Sequence, residues 1–147
     1  MGIELFEHNR MAYASAVSML AETGKAAVIH PTGTGKSFIG FKLCEDNPEK
    51  KVLWLSPSEY IFKTQMENWR AAGGGELKNI RFLTYAKLMR MESSEIRDLH
   101  PGIVLLDEMH RAGSPRWGTS VQFLLNQNPN AWLLSYGRGI RFRLSAG

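Results

Sequence analysis

Short apolar runs alternate along the chain with segments whose apolar positions recur every three or four residues. The runs are Ala26-Ala27-Val28-Ile29, Lys51-Val52-Leu53-Trp54-Leu55, Ile80-Arg81-Phe82-Leu83-Thr84, Ile103-Val104-Leu105-Leu106 and Ala131-Trp132-Leu133-Leu134. Runs this short, bounded by turn formers, predict strands, a buried one at Ile103 to Leu106, and the third alternates as a strand does. Between them, Tyr13, Ala16, Val17 and Leu20 share one face of a helix that Gly24 can end. Residues 38–44 are apolar nearly all round, like a buried helix. Phe62, Met66 and Trp69 mark a third helix. Ser56-Pro57-Ser58-Glu59 reads as its capping box, with Pro57 in the first helical position, and Gly73-Gly74-Gly75 breaks it. Residues 85–91 predict a short helix, and His100-Pro101-Gly102 turns the chain into the fourth strand. Ser114-Pro115 opens a helix with Trp117, Val121, Leu124 and Leu125 on one face. Strands alternating with helices of this length predict βαβ units, and hence an α/β fold with a mainly parallel sheet.

Composition adds bounds rather than chemistry. A chain of 147 residues is long enough for one domain with its own core. No stretch approaches 18 apolar residues, so no membrane partner is expected. Acidic residues near Met1 argue against a signal peptide, and Phe6 stands where a myristoylation signal has Ser or Thr. A single cysteine, Cys44, rules out an internal disulfide framework and suits a reducing, cytoplasmic setting; its apolar helical neighbours make it a core residue. The four histidines, at 8, 30, 100 and 110, lack metal-ligand spacing. A net charge of +4 permits an acidic polymer as partner without requiring one.

The chemistry lies in two segments. His30-Pro31-Thr32-Gly33-Thr34-Gly35-Lys36-Ser37 joins the first strand to the buried helix. It reads as a phosphate-binding loop, with His30 in place of the usual first glycine. Gly33 and Gly35 let backbone N–H groups curl around phosphates, Lys36 neutralises their charge, and the Ser37 hydroxyl can hold Mg²⁺. Strand, glycine turn and helix is the context this needs, because the helix N-terminus then points free N–H groups at the phosphate. Asp107-Glu108-Met109-His110 follows the fourth strand and supplies a metal-binding aspartate and a glutamate to orient or deprotonate water. The pair describes nucleoside triphosphate hydrolysis with Mg²⁺ as the metal; the resemblance set out next implies ATP as the nucleotide. A stand-alone kinase fits less well, since Asp107-Glu108 is a water-activating pair.

On these residues the chain resembles the first RecA-like lobe of a superfamily 2 helicase of the DEAD/DEAH class, in the branch of type III restriction subunits and UvrB-like ATPases. The likeness runs from about residue 5 to 134. His30 to Ser37 resembles motif I and Asp107 to His110 motif II. Leu55-Ser56-Pro57-Ser58 leading to Gln65 resembles motif Ia, and Phe82-Leu83-Thr84-Tyr85 motif Ib. The resemblance implies a three-layer α/β/α P-loop NTPase with a sheet of five or more strands, the 131–134 strand lying between those ending at His30 and Asp107. It implies Thr32, Gly33, Thr34, Gly35, Lys36 and Ser37 as the nucleotide loop, and Ser37 and Asp107 as metal-binding residues. Lys36, Glu108 and His110 become the catalytic set, His110 coupling the ATP site to the rest of the motor. A nucleic acid backbone, DNA rather than RNA, would be held by the motif Ia and Ib loops, with the Thr84 hydroxyl on a phosphate. Asn9 lies where many such motors place an adenine-reading glutamine; capping of the first helix is its other reading.

The chain departs from the pattern at Ser135-Tyr136-Gly137-Arg138-Gly139, where the family carries a Ser/Thr-Ala-Thr motif that senses hydrolysis. Residues 135–147 are thus expected as an atypical tail on a single domain, 1–147. Neither a second lobe nor the arginine finger it would carry is expected within these residues, so a partner lobe or a restriction or repair subunit would complete the site. The alternative is a catalytically silent nucleotide-binding or regulatory fragment.

Overall fold

The computed structural model describes residues 7–29, 36–108 and 115–137. The elements follow in the order α1 (Glu7–Thr23), β1 (Lys25–Ile29), α2 (Lys36–Asp46), β2 (Val52–Ser56), α3 (Glu59–Ala71), β3 (Ile80–Thr84), α4 (Tyr85–Arg90), α5 (Ser93–Arg97), β4 (Ile103–Asp107), α6 (Pro115–Gln127) and β5 (Trp132–Gly137). The five strands form one parallel sheet in the order β1-β5-β4-β2-β3. As expected, β5 lies between β1 and β4.

Strand residues alternate between two cores, the period-2 consequence of a pleated chain. Val52, Trp54, Ile103, Leu105 and Leu134 join α1, α2 and α3 on one face. Leu53, Leu55, Val104, Leu106 and Leu133 join α4, α5 and α6 on the other. This is the expected α/β/α arrangement, and it explains why β2 and β4 read as unbroken apolar runs: both faces are covered. On the first face Phe41 stacks on Trp54 with ring centroids 4.6 Å apart, and Phe62 stacks on Phe82 at 4.4 Å. Trp69 approaches Phe41 at 5.5 Å. This aromatic group fixes α2 and α3 against β2 and β3, and truncating one such ring to alanine typically costs about 3–5 kcal/mol.

Local signals set most of the boundaries. Gly24 ends α1 with φ +77° and donates its N–H to the Leu20 carbonyl at 2.8 Å. The start of α3 corrects the sequence reading. Its cap is Ser58, whose hydroxyl accepts from the Tyr60 and Ile61 N–H groups, and not Ser56. Ser56 remains the last residue of β2, paired with Thr84 and fully buried, so its backbone is committed to the sheet and Pro57 lies outside the helix. Three further differences concern extent. Helix α5 was not anticipated, being a single turn in a polar stretch that buries only Ile96. β5 continues past Leu134 through Ser135, Tyr136 and Gly137, each paired with β1. The residues that depart from the family motif are therefore strand in their first half. Asn9 is the third residue of α1, so it is not that helix's N-cap.

Candidate nucleotide site at the carboxyl edge of the sheet

Among the described residues, the buried polar or charged side chains are Ser37, Ser56, Asp107 and Glu108. Ser56 and Asp107 end β2 and β4, Glu108 follows β4 directly, and Ser37 lies in the first turn of α2. Burying such groups is costly unless the surroundings compensate, so their collection on one edge makes it the candidate site. It is also the edge at which ligands of open parallel sheets bind.

The register explains how distant segments meet there. Val28 of β1 and Asp107 of β4 both pair with Tyr136 of β5. Two strand spacings therefore separate the backbones of Val28 and Asp107, roughly 10 Å. The chain leaves β1 at Ile29 and returns as α2 at Lys36, placing Ser37 in the helix's first turn, 8% exposed. Asp107 is wholly buried at the end of β4, and Glu108 follows at 6% exposure. Glu108 has φ +50°, in the left-handed region that a residue with a Cβ adopts at some cost. Such strain persists where the surroundings over-determine it, and it collects at functional sites.

Of the residues anticipated from sequence, Ser37, Asp107 and Glu108 are thus brought to one edge. Lys36 opens α2, and Asn9 lies in α1, with only their backbones described. Thr32, Gly33, Thr34, Gly35 and His110 fall outside the described residues. A serine hydroxyl and a carboxylate are hard oxygen donors, which suits Mg²⁺ and not a soft metal.

Two contacts to Asp107 were not foreseen. Gln65 of α3 donates its side-chain N–H to Asp107 Oδ2 at 3.3 Å. Tyr85 of α4 donates its hydroxyl to the Asp107 backbone carbonyl at 2.9 Å. Tyr85 is fully buried, and burial together with the nearby Asp107 charge pushes its hydroxyl well above the ordinary phenol range, so it stays a donor. A signal for Gln65 did exist: it stands three residues after Phe62 and four before Trp69, a polar position on the stripe that α3 turns to the core.

Beside this site, β2 and β3 end at Ser56 and Thr84. The Thr84 Oγ1 caps α4 by accepting the Lys87 N–H at 3.0 Å, which leaves the hydroxyl hydrogen able to donate outward. Tyr60, 78% exposed, stands one helical position from the start of α3.

Known proteins place this geometry. The fold is similar to that of Escherichia coli DEAH/RHA helicase HrpB, with a TM-score of 0.70 and 18% identity over 90% of this chain and 20% of that one. It is similar to the Pyrococcus furiosus Hef helicase domain, with a TM-score of 0.65 and 17% identity over 92% of this chain and 34% of that one. A hypothetical ATP-dependent RNA helicase from Sulfolobus tokodaii gives 0.59 and 16%, over 88% of this chain and 45% of that one. The chain therefore spans less than half of each of these proteins, and at such identities they speak for its fold, a RecA-like helicase lobe. No curated protein matches the chain in sequence. Residues 2–136 match the family described as Type III restriction enzyme, res subunit, and the chain belongs to that family.

Proposed function

We propose that the chain, residues 1–147, is the ATP-binding lobe of a nucleic-acid-dependent ATPase of the helicase or translocase class. The observation that carries this reading is the confinement of buried Ser37, Asp107 and strained Glu108 to the carboxyl edge, one strand away from where β1 leads into the loop. In this reading the backbone of Thr32, Gly33, Thr34 and Gly35 cradles the phosphates and Lys36 binds the β- and γ-phosphates. Ser37 and Asp107 hold Mg²⁺, which when bound neutralises charge developing on the phosphates. Glu108 orients the attacking water and accepts its proton as the bond to the γ-phosphorus forms and ADP departs. His110 carries the state of the site toward the rest of the motor, and Asn9 meets the adenine. DNA is the favoured polymer, because restriction enzymes give the family its name. A second RecA-like lobe supplies an arginine that stabilises the transition-state charge, an element worth about 10³–10⁵ in rate.

The test is ATP turnover and Mg·ATP binding by the purified chain, with and without DNA or RNA. Calorimetry should show Mg·ATP binding that Lys36→Ala abolishes; binding unchanged in that variant refutes the site. Nucleic acid affinity should fall steeply with salt and ignore sequence, since Thr84 and backbone N–H groups address phosphates. Affinity that holds from low to high salt contradicts it.

A further inference from the structure

At the amino-terminal edge of the sheet, opposite Asp107 and Glu108, a cavity of about 240 Å³ opens between the starts of β2 and β3 and the segment joining α5 to β4. Its floor is apolar. Leu53, Leu99 and Pro101 line it, all three buried, and the two leucines belong to the core beneath α4, α5 and α6. Its rim is charged: Lys51, Lys78, Arg81 and Asp98, all exposed, border the same space. Arg81 stands beside Leu53 in register, so both leave the sheet on this face.

The walls are tied together by backbone. The Val52 N–H donates to the Asn79 carbonyl at 2.8 Å, and the Gly102 and Ile103 N–H groups donate to the Lys51 carbonyl at 2.8 and 3.0 Å. The Asn79 side chain is itself anchored on carbonyls at the end of α2. His100, between Leu99 and Pro101, has φ +43°, a conformation that both its own Cβ and the following proline oppose. The cavity is therefore held in shape by several contacts at once. Three cations and one carboxylate leave its rim with two positive charges in excess. Among the described residues, none of these four side chains has a hydrogen-bond or ion-pair partner. Lys50 shows the contrast, for its ammonium lies over the Trp132 ring, 3.6 Å from the centroid.

We propose that this cavity binds a phosphate monoester, its dianionic head on Lys51, Lys78 and Arg81 and a small apolar body on Leu99 and Pro101. Lysine and arginine both suit phosphate, and a monoester carries about −1.5 to −2 charge near pH 7, matching the excess on the rim. The volume falls below the roughly 300–1,000 Å³ of drug-sized sites, so the ligand is compact. Asp98 would repel a bare phosphate and accept a hydrogen bond from a hydroxyl or amide N–H on the body. A nucleic acid phosphate fits less well, since a diester carries one charge and brings no apolar group to the floor. The site is separate from the nucleotide edge: Ile103, beside Val52, lies four residues up β4 from Asp107, about 13 Å.

The experiment titrates the full 147-residue chain by calorimetry and amide NMR. The probes are propyl phosphate, glycerol 3-phosphate, inorganic phosphate, succinate and acetyl-phosphoserine methylamide. Propyl phosphate should shift the amides of Lys51, Arg81 and Leu99 and saturate below about 10 mM. Inorganic phosphate should bind at least about threefold more weakly, having nothing to seat on the floor. The double variant Lys78→Gln/Arg81→Gln should weaken propyl phosphate about tenfold, with folding checked by circular dichroism. Lys63→Gln, an exposed lysine on α3 outside the cavity, should change it by less than about twofold. In Asp98→Ala the affinity ratio of glycerol 3-phosphate to propyl phosphate should fall about threefold. Tighter binding of acetyl-phosphoserine methylamide than of glycerol 3-phosphate would make the ligand protein-borne, and the reverse order a free metabolite; either supports the site. The proposal is overturned by amides that do not shift, by succinate binding tighter than propyl phosphate, or by a double variant within about twofold of wild type. Mg·ATP binding by that variant should match wild type, so failure of the nucleotide reading and failure of this one are seen separately.

Discussion

The indole of Trp69 lies against Gly74, so close that a Cβ at that glycine would sit 2.3 Å from the ring. The same ring donates its N–H to the Gly75 carbonyl at 2.9 Å, so the chain after α3 folds back over the tryptophan. The three consecutive glycines are therefore not equivalent. Gly73 has φ +96°, Gly74 is held by contact, and Gly75 has open space around its α-carbon. Gly74→Ala should destabilise the protein by about 1–3 kcal/mol, because both the ring and the backbone are fixed. Gly75→Ala should be neutral within about 0.5 kcal/mol. Thermal or urea unfolding of the two variants checks the contrast, and equal losses would show that Trp69 has room to move.

Asn79 closes the end of α2 from a distance. Its amide hydrogens reach the carbonyls of Cys44, Asn47 and Lys50 at 3.0–3.2 Å. Removing the donor by Asn79→Ala should cost about 1–3 kcal/mol. Asn79→Asp should cost more at neutral pH, since a carboxylate would face three carbonyl oxygens. That carboxyl would have a raised pKa in the folded state, so its penalty should shrink as the pH falls and the group protonates. Unfolding curves of both variants at neutral and acidic pH provide the measurement; a deficit for Asn79→Asp that ignores pH contradicts the arrangement.

Alkaline pH should unfold the protein through three groups held neutral. Burial pushes the Cys44 thiol above its ordinary 9.0, and burial also raises the hydroxyls of Tyr13 and Tyr85 above their ordinary 10.0, aided by Asp46 and Asp107 respectively. In each case the unfolded chain loses its proton first. The stability contributed is complete below the ordinary pKa and is lost as the pH climbs from there toward the folded value. Melting temperature should be level to about pH 8 and fall above 9. Tyr85→Phe should flatten the steepest part, above 10. A curve unchanged by that substitution would mean that Tyr85 can ionise in the folded state.

Glu108 combines a left-handed backbone with a buried carboxylate, features that serve a site better than they serve stability. Glu108→Asn should raise stability by about 1 kcal/mol, because asparagine tolerates this backbone conformation and carries no charge. On the proposed function, Glu108→Asn and Glu108→Gln should both remove residual ATP turnover, and Glu108→Gln should retain ATP binding. Paired melting and turnover measurements decide this. Turnover surviving in Glu108→Gln would remove the glutamate from the water-activating role.

The sequence determined the elements and the class of fold by itself. Runs such as Val52 to Leu55 and Ile103 to Leu106 read as strands, and helices spaced between them left a parallel sheet as the economical solution. Gly24 named the end of α1 because a left-handed turn favours a residue without a Cβ. The two segments that carry Ser37 and Asp107-Glu108 stood out in the sequence because hard oxygens, a lysine and glycines at fixed spacing have few other uses. Local pattern could not choose between Ser56 and Ser58 as the cap of α3, since that depended on Ser56 being held in β2 by its pairing with β3. Nor could it show the two grips on Asp107. Gln65 and Tyr85 lie 42 and 22 residues from it in sequence. They meet it only because β4 enters the sheet beside β2, so that α3 and α4 cover its end from opposite faces. Periodicity records which side of an element is buried; only the assembled sheet decides what is buried against it.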